Sequence, residues 1–136
     1  MKMLTILSIL MLFSLSLKAP SDTRAVIIQP EAIQPYEAIW NAVCKVESNN
    51  DPFVIGDKHL RQYSYGIAQI RQIRLDDYYD KTGIRYTTKE MFDPAKSKEV
   101  FMYFMMQYND TDYAIRKWNG SGIKTYAYLN KVKKHL

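Results

Sequence analysis

Glu47 stands where the sequence pattern asks for an apolar side chain. Tyr36, Ile39, Trp40, Val43 and Cys44 recur at three- and four-residue spacing and so share one face of a helix, and Glu47 is the next position in that series. A carboxyl on an apolar stripe loses solvation, which disfavours its charged form and raises its pKa. Glu47 also falls in the last turn of that helix, where exposed carbonyls carry partial negative charge and disfavour an anion further. Both effects keep the group protonated near neutral pH and ready to donate, as a general acid must. The plainer alternative puts Glu47 at the edge of the stripe, its head in water or paired with an arginine.

The neighbours favour the first reading. Ser48, Asn49 and Asn50 crowd polar groups behind the acid, as the lip of a cleft would. Downstream, "SYGIAQI" sets Gly66 and Gln69 at an expected strand-to-helix junction, where a glycine lets a ligand approach the backbone and a glutamine can hold a sugar hydroxyl or acetamido group. Glycoside hydrolysis usually takes a second carboxylate, and here none is conspicuous. Asp51 precedes Pro52 in the helix-ending turn, Asp57 lies in a turn signal, and Asp76 and Asp77 read as the polar face of a helix. Cys44 is the single cysteine, which excludes an internal disulfide and a cysteine-based metal cluster. His59 and His135 have no ligand spacing around them and read as surface residues, so no metal is expected.

The elements that must position Glu47 follow from the rest of the chain. At 136 residues, with 47% apolar and 24% charged residues, the composition is that of one globular domain. Lys2 followed by an apolar run from Met3 to Leu17 reads as a secretory signal peptide over residues 1–19, since 15 residues fall short of the ~20 that span a bilayer. Ala19 precedes Pro20 at one candidate cleavage site, and Ser14 and Ser16 offer another. Export to a periplasmic or extracellular space is expected, with tethering by an uncleaved segment as the alternative. Removal of residues 1–19 takes away Lys2 and Lys18 and no acid, lowering the formal charge from +5 to +3. That mild excess suits an anionic polymer such as a cell wall, though lysines on solvated helix faces account for it equally well. The short basic end "KVKKHL" makes no basic groove, which argues against nucleic acid.

Residues 20–34 read as a linker with an extended "AVII" segment, and the domain is expected over 35–136, with Pro35 in the first turn of its first helix. Asn49 to Pro52 end that helix. Residues 53–65 suggest a small irregular β-hairpin beside the cleft. A helix is expected through "GIAQIRQIRLDDYYDKTG", with Ile67, Ile70 and Ile73 on one face and Gly83 as its stop. Asp93 and Pro94 should open another, with Val100, Phe101, Phe104, Met105 and Tyr108 as its core stripe. A shorter helix through Tyr113, Ala114, Ile115 and Trp118 breaks at "NGSG", and an amphipathic helix closes the chain. The fold class is therefore mainly α, in an α+β arrangement with a minor β element, and no internal repeat is present.

"ESNNDP", "SYGIAQI", "KWNG" and "YLNKV", in that order over residues 38–132, resemble the successive motifs of the lytic transglycosylase (SLT) family, lysozyme-like enzymes that cleave bacterial peptidoglycan. The resemblance implies a lysozyme-like fold, Glu47 as the single catalytic acid/base and Ser48 as the serine that usually follows it. It implies that Ser64, Tyr65, Gly66 and Gln69 belong to the segment that contacts substrate, Gly66 and Gln69 matching the glycine and glutamine of the family's Gly-Leu-Met-Gln. Asn119 matches the asparagine of the Ala-Tyr-Asn-Ala-Gly segment, and Tyr128 the tyrosine near the catalytic acid. Ile67 and Ala68 replace the usual Leu and Met, Trp118 the family tyrosine, and Gly120 and Ser121 the Ala and Gly.

What the resemblance implies for the reaction is cleavage of the MurNAc–GlcNAc β-1,4 bond with formation of 1,6-anhydromuramoyl ends, with no second carboxylate, no metal and no cofactor. Tyr63, Tyr65 and Trp118, which flank motif residues, are candidate cleft walls. Two readings compete: a hydrolytic muramidase on the same fold with Asp57 positioning water, and a non-catalytic wall-binding or assembly protein. The second of these has no use for a desolvated acid. Peptidoglycan glycan strands are the expected partner, a secretion or conjugation apparatus a further candidate, and a monomer the expected state.

Overall fold

Proline 30 opens the first helix. The computed structural model describes residues 30–136, with side chains from Tyr36 onward; the expected signal peptide and the greater part of the expected linker lie outside the described residues. Helix α1 runs Pro30–Ser48, so residues 30–34, expected as linker, are helical. Pro30 sits in the first turn, where a missing N–H is no loss, and Pro35 then forfeits one backbone bond in the following turn. The apolar stripe is as expected: Ile39, Trp40, Val43 and Cys44 are buried. Asn49 and Asn50 end the helix with left-handed φ of 56° and 66°, a region asparagine tolerates better than most residues, and the Asn50 N–H bonds back to the Cys44 carbonyl at 3.2 Å. Both are exposed; they turn the chain rather than furnish the lip of a cleft.

Three two-residue strands follow, β1 Ile55–Gly56, β2 Ser64–Tyr65 and β3 Ile70–Arg71. They form an antiparallel sheet in the order β1-β2-β3, with Gly56 opposite Ser64 and Ser64 opposite Arg71. The expected hairpin is present, but the expected helix from Gly66 is not. Residues 66–69 are the turn between β2 and β3, and helix α2 starts only at Gln72, running Gln72–Thr82. Gly66 and Gln69 take left-handed φ of 76° and 52°, and the Gln69 side chain bonds to the main-chain carbonyls of Val54, just before β1, and Gly66, just after β2, so this segment cannot continue a helix. Ile70 is buried while Ile73 is 63% exposed; their three-residue spacing does not mark a shared face. Gly83 does stop α2, with φ 74° and its N–H on the Tyr79 carbonyl.

A 3-10 segment, Thr88–Phe92, leads into α3, Pro94–Met105. It is closed by reciprocal bonds between Thr87 and Glu90. Asp93 caps α3 as expected, its Oδ1 accepting from the Ala95 N–H at 2.9 Å, with Pro94 at the first position. Helices α4, Thr111–Asn119, and α5, Lys124–Lys133, complete the chain. Helix α1 packs on α3 and α5, and α4 packs on the same pair. Their shared core holds Val43, Val100, Phe101, Ile115 and Val132, with Phe101 between Trp40 at 5.2 Å and Trp118 at 5.0 Å, ring centre to ring centre. The fold is mainly helical with one small antiparallel sheet.

Candidate active site

Glu47 is the last residue but one of α1, in its final turn, and is largely shielded from water. Removal from water is the main cause that raises its pKa from 4.5 to about 6. The Tyr128 hydroxyl, reaching over from α5, donates to Glu47 Oε1 at 2.6 Å and works in the opposite direction. The charge of Asp57 raises the value further, and Arg71 and Lys131 lower it. Tyr128 itself is buried, and its phenol is pushed far above its ordinary range by that burial and by the adjacent carboxyl. The nearby Cys44 thiol is pushed up to about 12, by burial first and then by Glu47, and is no nucleophile at neutral pH.

Because Tyr128 stabilises the ionised form of Glu47, Tyr128→Phe should move the Glu47 pKa upward from about 6. A reaction that needs protonated Glu47 then keeps its rate to higher pH, by roughly one unit on the alkaline limb for one lost charge-assisted hydrogen bond. A pH–rate profile of cleavage, or titration of the Glu47 carboxyl by NMR, reads the shift. A limb that stays put or moves to lower pH contradicts this role of Tyr128.

Glu47 lines a cavity of about 380 Å³ together with Asp57, Ser64, Gln69, Trp118 and Asn119. Two loops and two helix ends therefore converge on it from positions far apart in sequence. Trp118 comes from the last turn of α4 and is buried against Phe101, with its small exposed part among the residues that line the cavity. Asn119 is the final residue of α4 and is exposed; its side-chain amide has no partner among the described residues.

Gln69 is held far more tightly than a simple sugar-binding amide. Its Nε2 donates to the Val54 carbonyl at 3.1 Å and the Gly66 carbonyl at 2.8 Å, and its Oε1 accepts from Ser64 Oγ at 2.7 Å. Both N–H donors are occupied, which leaves one lone pair on Oε1 for a substrate hydroxyl. Gly56 makes room for this web: a Cβ there would lie 2.1 Å from Gln69 Oε1 and 2.7 Å from Ser64 Oγ. Ser64 is accordingly buried beneath the amide it supports.

Asp57 faces the same cavity, with a left-handed φ of 55°. Arg71 reaches it across the middle strand, Nη2 at 2.7 Å and Nε at 3.0 Å from Oδ2. Partial burial would raise the carboxyl's pKa, but these bonds prevail and hold it below its ordinary value. Glu47 and Asp57 thus have pKa values displaced in opposite directions within one cavity.

Three of the candidates are placed elsewhere. Ser48 is buried with its hydroxyl 2.8 Å from the Ile67 carbonyl and 3.2 Å from that of Cys44. It ties α1 to the β2–β3 turn and so positions Glu47 without touching the cavity. Gly66 admits another part of the chain, since a Cβ there would stand 1.8 Å from the Met91 carbonyl oxygen. The approach that glycine permits is that of the 3-10 segment, where the sequence suggested a ligand. Tyr65 packs edge-on against Phe92 at 6.0 Å. With Tyr63 it lines a separate groove of about 330 Å³, so of the three expected aromatic walls only Trp118 belongs to the Glu47 cavity.

Sequence reasoning passed over Gly56, Arg71 and Arg74, of which the two arginines line the cavity. The Arg71–Asp57 pair joins residues 14 apart through strand register, which no local pattern announces. Ile73, expected on one helical face with Ile67 and Ile70, is instead an exposed apolar surface at the cavity edge while Ile70 is buried. Comparison of the chain with family models, with curated proteins and with solved structures finds no match.

Proposed function

We propose that the protein is an exported peptidoglycan lytic transglycosylase with a lysozyme-like domain, in which Glu47 is the single acid/base. The observation that carries this reading is the state of Glu47: a carboxyl withdrawn from water at a cavity wall, anchored at one oxygen by Tyr128, with a pKa of about 6. Such a group gives and takes a proton readily near neutrality, which a residue serving first as acid and then as base requires. The convergence of Gln69, Trp118 and Asn119 on the same cavity supports the motif resemblance, because short motifs matched by chance have no reason to meet.

The reaction runs in two stages. Glu47 protonates the glycosidic oxygen that links a muramoyl residue to the following sugar, and the substrate's own acetamido oxygen closes on the anomeric carbon as that bond breaks. The Glu47 carboxylate then takes the proton of the C6 hydroxyl while this oxygen displaces the acetamido group, leaving a 1,6-anhydromuramoyl end. Trp118 offers a flat apolar edge to a sugar ring. Asn119 and the free lone pair of Gln69 Oε1 are placed to hold its polar substituents.

One observation favours a second reading. Two carboxyls with oppositely displaced pKa values in one cavity are the pattern of an acid and an ionised partner, so Asp57 could position water in a hydrolytic muramidase. Its bonds to Arg71 count against this, since both engage Oδ2 and reduce its basicity. Digestion of purified peptidoglycan followed by mass spectrometry separates the two: the anhydro product is lighter than the reducing end by one water. With the transglycosylase, Asp57→Asn should slow cleavage less than about tenfold, through loss of the Arg71 pair alone. A hundredfold loss together with reducing ends replaces this proposal with the muramidase.

A further inference from the structure

Arg74 lies in the first turn of α2 and lines the cavity that holds Glu47. Its guanidinium carbon stands 4.6 Å from the centre of the Phe104 ring and 5.0 Å from that of Trp118. Nη2 donates to the Trp118 carbonyl at 2.9 Å and more weakly to that of Lys117 at 3.5 Å. Nη2 is thereby fixed to the end of α4, whose last carbonyls lack helical donors. Neither Nε nor Nη1 has an acceptor among the described residues. No polar side-chain atom in the described residues is both fully buried and without a partner, so these donors reach solvent on a side chain that borders the cavity.

The charge at the cavity wall adds to this. Arg71 is neutralised by Asp57, and Glu47 is uncharged whenever it is poised as an acid. No carboxylate among the described residues comes within ion-pair distance of Arg74. A brace between α2 and α4 needs only Nη2. What remains is a guanidinium with no ion-pair partner whose Nε and Nη1 donors are free, already immobilised by aromatic rings and able to give a carboxylate oxygen a charge-assisted bond.

We propose that Arg74 is the receptor for a carboxylate carried by the glycan in the Glu47 cavity, so that the site prefers an acidic sugar to its neutral counterpart. The proposal rests on the glycan-cleaving reading for the nature of the ligand and on the unpaired guanidinium with its free Nε and Nη1 donors for the ligand's charge.

The test uses the full chain carrying Glu47→Gln, which prevents turnover, and two alternating N-acetylglucosamine–muramic acid tetrasaccharides, one with free lactyl carboxylates and one with their methyl esters. Calorimetry at neutral pH should give about tenfold tighter binding of the acid, the scale of a charge-assisted hydrogen bond at a partly solvated site. Adding Arg74→Gln should reduce the ratio to less than about twofold, and Arg74→Lys should retain part of it, because a point charge remains without the planar group that the Phe104 and Trp118 rings hold. The comparison of acid with ester needs no change at Arg74, so a poorly folded Arg74→Gln does not void it. Equal affinity for the two sugars overturns the carboxylate receptor and leaves the glycan reading standing. A preference that survives Arg74→Gln overturns the assignment to Arg74. If neither sugar binds, the glycan reading falls and this proposal with it.

Discussion

Glu47→Gln is expected to abolish peptidoglycan cleavage and, above pH 6, to make the protein more stable than the parent. The kinetic half follows from chemistry: the amide keeps the shape of the side chain and can still accept from Tyr128, but it delivers no proton, and loss of the sole acid/base should cost on the order of a thousandfold or more in rate. The stability half follows from linkage. Burial raises the Glu47 pKa from 4.5 to about 6, so the folded state holds the proton more tightly than the unfolded chain does. Stability from this group is complete below pH 4.5 and is lost as pH rises through about 6. One and a half units correspond to about 2 kcal/mol, which the neutral glutamine does not lose. Thermal melts of the two proteins should therefore coincide near pH 4 and diverge by about 10 °C at pH 7.5, at roughly 5 °C per kcal/mol for a domain of this size. If Glu47 were an exposed edge residue, the melts would agree at every pH and turbidity assays would show cleavage near the parent rate. Stabilisation without loss of cleavage would identify a buried acid that is not the catalyst.

The same residue shows how much of the site could be read beforehand. Glu47 was legible because a break in a 3.6-residue apolar pattern is visible along one helix, and burial, the cause that dominates its pKa, is what that pattern encodes. The caps at Asp93 and Gly83 were legible for a similar reason, since each acts within a few residues of itself. The segment around Gly66 was not. Ile67, Ile70 and Ile73 carry helical spacing, and what overrides it is the Gln69 side chain bonding to carbonyls of Val54 and Gly66, together with a glycine pressed against a segment 25 residues later. Arg71 and Arg74 were missed on the same ground: one is paired through strand register, the other braced against α4 more than 40 residues away. Tyr63 and Tyr65 failed as cleft walls because β2 directs Ser64 toward the cavity and its neighbours away from it, an alternation that depends on the strand being placed correctly.

Gly66→Ala is expected to unfold most of the protein at temperatures where the parent is stable. An added Cβ would lie 1.8 Å from the Met91 carbonyl oxygen and 2.7 Å from its carbon, with φ at 76°. That oxygen cannot retreat cheaply. It accepts from the buried Ser97 Oγ at 2.7 Å, and Met91 itself is wholly buried, while the Thr87–Glu90 box and the Asp93 cap hold the segment on either side. The left-handed conformation costs an alanine about 1 kcal/mol, and an overlap with main chain that cannot move should add about 3 kcal/mol or more. About 4 kcal/mol is a large part of the 5–15 kcal/mol by which a domain is usually stable, so a fall of roughly 20 °C in the melt is expected at the rate used above. Gly83→Ala separates the two contributions. Gly83 has nearly the same φ, 74°, and nothing within 4 Å of the added carbon, so it should lose only the conformational part, about 1 kcal/mol. If Gly66 were there to let substrate near the backbone, the two variants would melt alike and only Gly66→Ala would lose activity. A large gap between their melting temperatures instead locates the role of Gly66 in the joint between the β2–β3 turn and the 3-10 segment, and through Ser48, which bonds the same turn to α1, in the placement of Glu47.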